Sequence, residues 1–142
     1  MLSQVFAKQF TKSLVTKASV SLIKDAEYLV LCKKHESLMS AESETAMSPE
    51  ECLLTALGSS SANELKRLIQ KKGIEPKSIT ASVTGEWLIY PEMKLDSVNI
   101  KFNVNTDKLS QSELNELISK VEQEMCPITQ TLKNPASVHF VR

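Results

Sequence analysis

A chain of 142 residues has room for one domain of ordinary size. Apolar residues make up 42% and charged residues 24%, enough to bury a core and too apolar for a disordered chain. Seventeen Lys and Arg balance seventeen Asp and Glu, which leaves no basic footprint for nucleic acid, and no apolar run approaches the ~18–20 residues of a membrane span.

Three cysteines, Cys32, Cys52 and Cys126, are too few and too scattered for a disulfide scaffold. At least one stays a free thiol, which fits a reducing cytoplasm. Residues 1–24 carry no acid, and Lys8, Lys12 and Lys17 stand among Phe6, Phe10 and Leu14. The segment lacks the arginine of an organellar presequence and the continuous apolar stretch of a secretory signal. It reads as a basic N-terminal segment, with residues 1–16 an extension of a single domain over 1–142.

Residues 18–32 read as a β-hairpin. Val20 and Leu22 alternate with Ser19 and Ser21, and a polar Lys24-Asp25-Ala26-Glu27 turn leads into Tyr28-Leu29-Val30-Leu31-Cys32. The polar stretch from His35 to Met47 reads as a loop. A long helix follows. Ser48-Pro49-Glu50-Glu51 combines an N-cap serine, a proline at the first helical position and a glutamate at N3. Lys71 and Lys72 suit the C-terminal dipole, Gly73 suits a left-handed cap, and Pro76 blocks resumption. The predicted helix has about 25 residues, roughly 37 Å. That is long for so small a chain. Its middle is made of small residues: Ala56, Gly58, Ser59, Ser60, Ser61 and Ala62. A helical glycine costs about 1 kcal/mol relative to alanine, so close approach by another element or a ligand is expected there.

Two strands come next. Ile79, Ala81, Val83, Trp87 and Ile89 share a face of the first, and Val98, Ile100, Phe102 and Val104 share a face of the second. A second helix opens at Ser110 with a capping box to Glu113. Its core stripe is Leu114, Leu117, Ile118, Val121 and Met125, and Pro127 ends it. A short helix over 128–133 and a last strand through Val138 and Phe140 complete the order β-β-α-β-β-α-α-β, an α+β fold.

Four features bear on chemistry. With Pro127 at the first position of the short helix, Cys126 is its N-cap, where free N–H groups and the helix dipole favour a thiolate; the competing reading is a buried, inert cysteine. The small residues from Gly58 to Ala62 border either a catalytic pocket or a tight helix-crossing point. Ser60 has no hydrolase motif around it. Cys32 and His35 have metal-ligand spacing, but a closed zinc site needs four ligands and no second pair is available, so no metal or other cofactor is expected. His139 reads as a surface or edge residue.

The run Ser48-Pro49-Glu50-Glu51-Cys52-Leu53-Leu54-Thr55-Ala56-Leu57-Gly58, followed near the C-terminus by Cys126-Pro127, resembles the OsmC/Ohr family over residues 18–142. The resemblance implies an intertwined homodimer with the long helices packed centrally and two active sites at the interface. It also implies a thiol peroxidase for organic hydroperoxides. In such enzymes a helix cysteine is oxidised to a sulfenic acid, the C-P cysteine resolves it as a disulfide, and a dithiol reductant restores both. An arginine from the N-terminal strands and the glutamate of the P-E motif activate the first thiolate.

Two departures stand out against that pattern. The position of the peroxidatic cysteine, eleven residues after Pro49, is Ser60, and the only arginines are Arg67 and Arg142. A hydroxyl cannot enter the sulfenic-acid ladder. Lys12 or Lys17 supplies charge without the planar fork of arginine. Glu50 and Cys126 remain at their family positions. Cys52 lies eight residues before Ser60, roughly 12 Å along the helix, and cannot take over its place. Three readings follow: a dimer without the two-cysteine cycle that keeps an interfacial pocket for a small apolar or oxidised molecule; a one-cysteine peroxidase using Cys126; and a structural or interaction dimer without ligand.

Overall fold

The structure is a computed structural model and describes residues 16–33 and 35–141. Lys8, Lys12, Arg142 and the N-terminal extension up to Val15 lie outside the described residues. The chain divides between Ser48 and Pro49 into two compact units.

The first unit is a three-stranded antiparallel sheet in the order β1-β2-β3, with β1 at Ser19–Lys24, β2 at Glu27–Cys32 and β3 at His35–Ser40. The expected hairpin is present, with Val20 opposite Val30 and Leu22 opposite Tyr28. Asp25 has φ 48° and Lys33 has φ 55°, so both connections use the positive backbone angles that tight hairpin turns demand. The loop expected from His35 onward is corrected: β3 pairs with β2 from Cys32–His35 to Glu27–Ser40. Its polar sequence hid it, because a strand in an exposed sheet is held by ladder hydrogen bonds and needs no apolar alternation.

The second unit holds the core. Helix α1 spans Pro49–Lys71, 23 residues, close to the expected length and starting at the predicted proline. Its exit is the predicted glycine cap. Gly73 has φ 76°, its N–H donates to the Gln70 carbonyl at 2.9 Å, and the Ile74 N–H donates to Ile69 at 3.4 Å. That pair of bonds satisfies carbonyls the helix would leave open.

Strands β4, Ser78–Leu88, and β5, Lys94–Asn105, form an antiparallel pair with Val83 opposite Ile100 and Gly85 opposite Val98. Both apolar faces are as predicted, except that Ile89 falls beyond β4 and is 82% exposed. The register slips at Glu86/Trp87, which makes Asp96 the extra residue of a bulge. One face of α1 packs against this pair. Leu57, Leu65, Leu68 and Ile69 of α1 join Leu117, Val121 and Cys126 in the buried cluster.

The small middle of α1 has a steric cause. A Cβ on Gly58 would lie 2.7 Å from Val83 Cγ2, closer than real side chains come. The close approach at Gly58 is therefore present, made by strand β4 rather than by the crossing helix expected.

Helix α2 spans Gln111–Lys120, and the capping box at Ser110 is complete. The Glu113 N–H donates to Ser110 Oγ at 3.2 Å, and the Ser110 N–H donates to Glu113 Oε2 at 3.0 Å. Lys72 Nζ, just past α1, lies 3.2 Å from Glu113 Oε1 and ties the end of one helix to the start of the other. After α2 the chain makes one turn of π-helix over Val121–Met125 before α3, Pro127–Lys133.

The predicted last strand is also corrected. Residues 134–141 pair with no strand among the described residues; Val138 is 79% and Phe140 98% exposed. Alternating apolar residues become a strand only where a free edge meets them.

Two expected outcomes follow. Gly58→Ala gains roughly 1 kcal/mol of helix propensity but overpacks the α1–β4 contact. Against an overpacking cost of about 1–3 kcal/mol, urea unfolding should show a net loss of up to about 2 kcal/mol, and a Val83→Ala background should shrink it. For Glu113, the backbone and hydroxyl bonds from Ser110, then Lys72, lower the carboxyl from 4.5 to about 2. Because the folded-state pKa is the lower one, the stabilisation is full above pH 4.5 and is lost as pH falls toward 2. Glu113→Gln should flatten the stability–pH curve in that window.

Candidate functional site

The site forms where the C-terminal end of the chain folds back onto the middle of α1. The π turn carries an extra residue per turn, and its closing bond runs from the Cys126 N–H to the Val121 carbonyl at 3.1 Å. Cys126 then leaves the helix with φ −77° and ψ 113° and caps α3, with Pro127 at the first helical position. The predicted N-cap geometry is thus observed. The Thr129 N–H points at Cys126 Sγ, 3.5 Å away.

Two hydroxyls from α1 meet the same sulfur. Ser61 Oγ donates to Cys126 Sγ at 3.3 Å, and Ser60 Oγ accepts from the thiol at 3.4 Å. On ionisation the Ser60 hydroxyl can rotate and donate as well. Cys126 is 0% and Ser61 1% exposed, while Ser60 is half-buried. The two positions that the sequence singles out, 66 residues and several elements apart, are therefore in contact.

The electrostatics follow from these contacts. Burial pushes the Cys126 thiol up, but the Ser60 and Ser61 hydroxyls and the Thr129 contacts outweigh it together and bring the thiol from 9.0 down to about 7. A thiol lowered to about 7 ionises more readily than a free cysteine, and it is also fully buried, as the inert-cysteine reading expects.

Glu50 is not part of this cluster. It is half-buried in the first turn of α1, ten residues before Ser60 and so roughly 15 Å away along the helix axis. Arg67 is not available either, since its Nη1 lies 3.1 Å from Glu64 Oε1. Cys52 is half-buried two turns before Ser60, and Cys32 is exposed opposite His35 in the β2–β3 hairpin. Among the described residues no three metal-ligating side chains cluster.

Sequence reasoning missed two members of the site. Thr129 was implied by the capping geometry, since an N-cap side chain accepts from the N–H three residues on. Ser61 was hidden because adjacent helical residues normally diverge by 100°. Cys126 sits between the two and reaches both hydroxyls.

Beside the thiol lies a cleft of about 520 Å³ bounded by α1, β5, the π turn and α3. Leu57, Val98, Ile100, Phe102, Ile118 and Val121 make its apolar wall. Ser61 and Thr129, both bonded to Cys126, also face it, so the sulfur is one side chain removed from the cleft. A cleft of this size, mostly apolar with a few polar groups at one point, suits a small organic molecule.

The ionisation is directly measurable. Thiolate absorbance near 240 nm should titrate with a component centred near pH 7 that Cys126→Ser removes. Ser60→Ala and Ser61→Ala should each move that midpoint upward, because each removes a donor to the anion. An unmoved midpoint in both variants would show that the hydroxyls do not stabilise the thiolate.

Solved structures with the same fold are numerous. An OsmC-like protein from Mycoplasma pneumoniae superposes with a TM-score of 0.78 at 19% identity, over 86% of this chain and 89% of that one. An organic hydroperoxide resistance protein OsmC from Legionella pneumophila gives 0.68 at 15% identity, over 84% and 90%. The organic hydroperoxide resistance protein OhrB of Bacillus subtilis gives 0.62 at 14% identity, over 86% and 93%. No curated protein matches the chain. At these identities the likeness establishes the fold. The sequence profile of the family described as OsmC-like protein matches residues 41–140, from just before α1 to the end of the C-terminal tail. With that match over most of its length, the chain belongs to the OsmC-like family.

Proposed function

We propose that this protein is a family member without the two-cysteine peroxidase cycle, which binds a small apolar or oxidised molecule in the cleft beside Cys126 and works as a homodimer. The contact of Ser60 Oγ with Cys126 Sγ at 3.4 Å carries the reading. Relatives named as organic hydroperoxide resistance proteins share the fold, and the resemblance gives Ser60 the place of the attacking sulfur and Cys126 that of its resolving partner. A hydroxyl there can neither form a sulfenic acid nor close a disulfide. In this scheme Cys126 and Ser60 stand behind Ser61 and Thr129 at the polar end of the cleft, and Glu50 serves through the dimer, since within one chain it is too far from the sulfur. The dimer is supported by the sheet of the first unit, whose Val20, Leu22 and Leu38 are more than half exposed, and by the unpaired apolar tail with Val138 and Phe140.

One observation favours a second reading. A thiol at about pKa 7 is a competent nucleophile. In a one-cysteine cycle the Cys126 thiolate attacks the terminal oxygen of an organic hydroperoxide, the O–O bond breaks, and an alcohol leaves with a proton from solvent. Two equivalents of an external thiol then reduce the resulting sulfenic acid to thiol and water, becoming a disulfide themselves. The complete burial of Cys126 ranks this reading second.

Turnover of an organic hydroperoxide under a dithiol reductant separates the two. The chain itself is expected to be silent. Ser60→Cys is expected to form a disulfide with Cys126 on peroxide addition, seen as the loss of two thiols and a mobility shift, because the two sulfurs would start within about 3.4 Å. Turnover in the unaltered chain that vanishes in Cys126→Ser would establish the one-cysteine reading instead. Sedimentation should give twice the mass of one chain.

A further inference from the structure

The cleft also has a charged mouth, and its charges are unevenly engaged. Its charged lining residues are Asp96, Glu122 and Lys133. Lys133 is already held: its Nζ lies 3.3 Å from Glu122 Oε1 and 3.4 Å from the Glu122 backbone carbonyl. Glu122 and Lys133 therefore cancel. Asp96 forms no ion pair or hydrogen bond among the described residues. It is the extra residue of the β5 bulge and stands, exposed, along the rim of the cleft.

From this charge pattern we infer that the cleft selects an apolar molecule ending in a cationic head group, with the aliphatic part against Leu57, Ile100 and Phe102 and the ammonium beside Asp96. The inference rests on the binding role proposed for the cleft and adds the class of ligand. An anionic head would meet one uncompensated carboxylate and a lysine that must first leave its partner. A cationic head meets a carboxylate with no bond to break. Because the mouth is open to solvent, the discrimination is modest and screened by salt.

Three probes of equal chain length test it: octylamine, octanol and octanoate, titrated at pH 7 in low salt by isothermal calorimetry. Octylamine is expected to bind about two- to fivefold more tightly than octanol, the range of an exposed ion pair, and octanoate more weakly than octanol. Asp96→Asn should erase the advantage of the amine while leaving octanol unchanged, and high salt should do the same. Lys133→Gln, which frees Glu122, should enlarge it. If octanol binds but octanoate binds as well as the amine, or Asp96→Asn leaves the preference intact, the charge selection is overturned and the binding role of the cleft stands. If none of the three binds, the binding role itself fails, and the selection with it.

Discussion

Everything at the site depends on how closely other parts of the chain approach one stretch of α1. Within four residues the helix admits Val83 of β4 at Gly58 and the sulfur of Cys126 at Ser60 and Ser61. Side chains of ordinary size at these places would hold the sheet and the C-terminal helix off the core. Leu57, Leu65, Leu68 and Ile69 supply the apolar cover on either side, so the weak helix formers in the middle are tolerated by tertiary packing.

The same closeness sets the chemistry. Cys126 has no solvent contact, a setting that by itself disfavours a charge. The hydroxyls and the amide that converge on it more than offset this, and they come from two helices rather than one. Packing and ionisation are thus coupled: the contact that seats the C-terminal helix is also the one that stabilises the thiolate. A pocket wall of branched and aromatic side chains then places apolar surface beside a polar spot.

Much of this was legible in the sequence wherever the signal was local and chemical. The start and end of α1 were written in Ser48-Pro49-Glu50 and Lys72-Gly73, the entry to α2 in Ser110 and Glu113, and the cap of α3 in Cys126-Pro127. Signals that depend on partners were read less well. Strand β3 was missed because an exposed strand carries no apolar alternation, and the tail through Val138 and Phe140 was read as a strand although nothing among the described residues pairs with it. The meeting of Ser60 with Cys126 was suggested only by resemblance, since no local rule links residues so far apart in sequence. The cleft and the engaged Lys133 were not legible, because both are made by long-range packing.

The π turn was invisible for a different reason. Leu114, Leu117, Ile118, Val121 and Met125 keep an ordinary helical spacing, and nothing in their identities marks the wider winding. The seating of the sulfur is therefore recorded in the number of residues between the α2 cap and Pro127, more than in which residues they are. Shortening that stretch by one would convert the turn to regular helix and swing the thiol by about 100°. In this chain the reach of the thiol is a matter of counting, and it would survive many substitutions at 121–125 that leave the count alone.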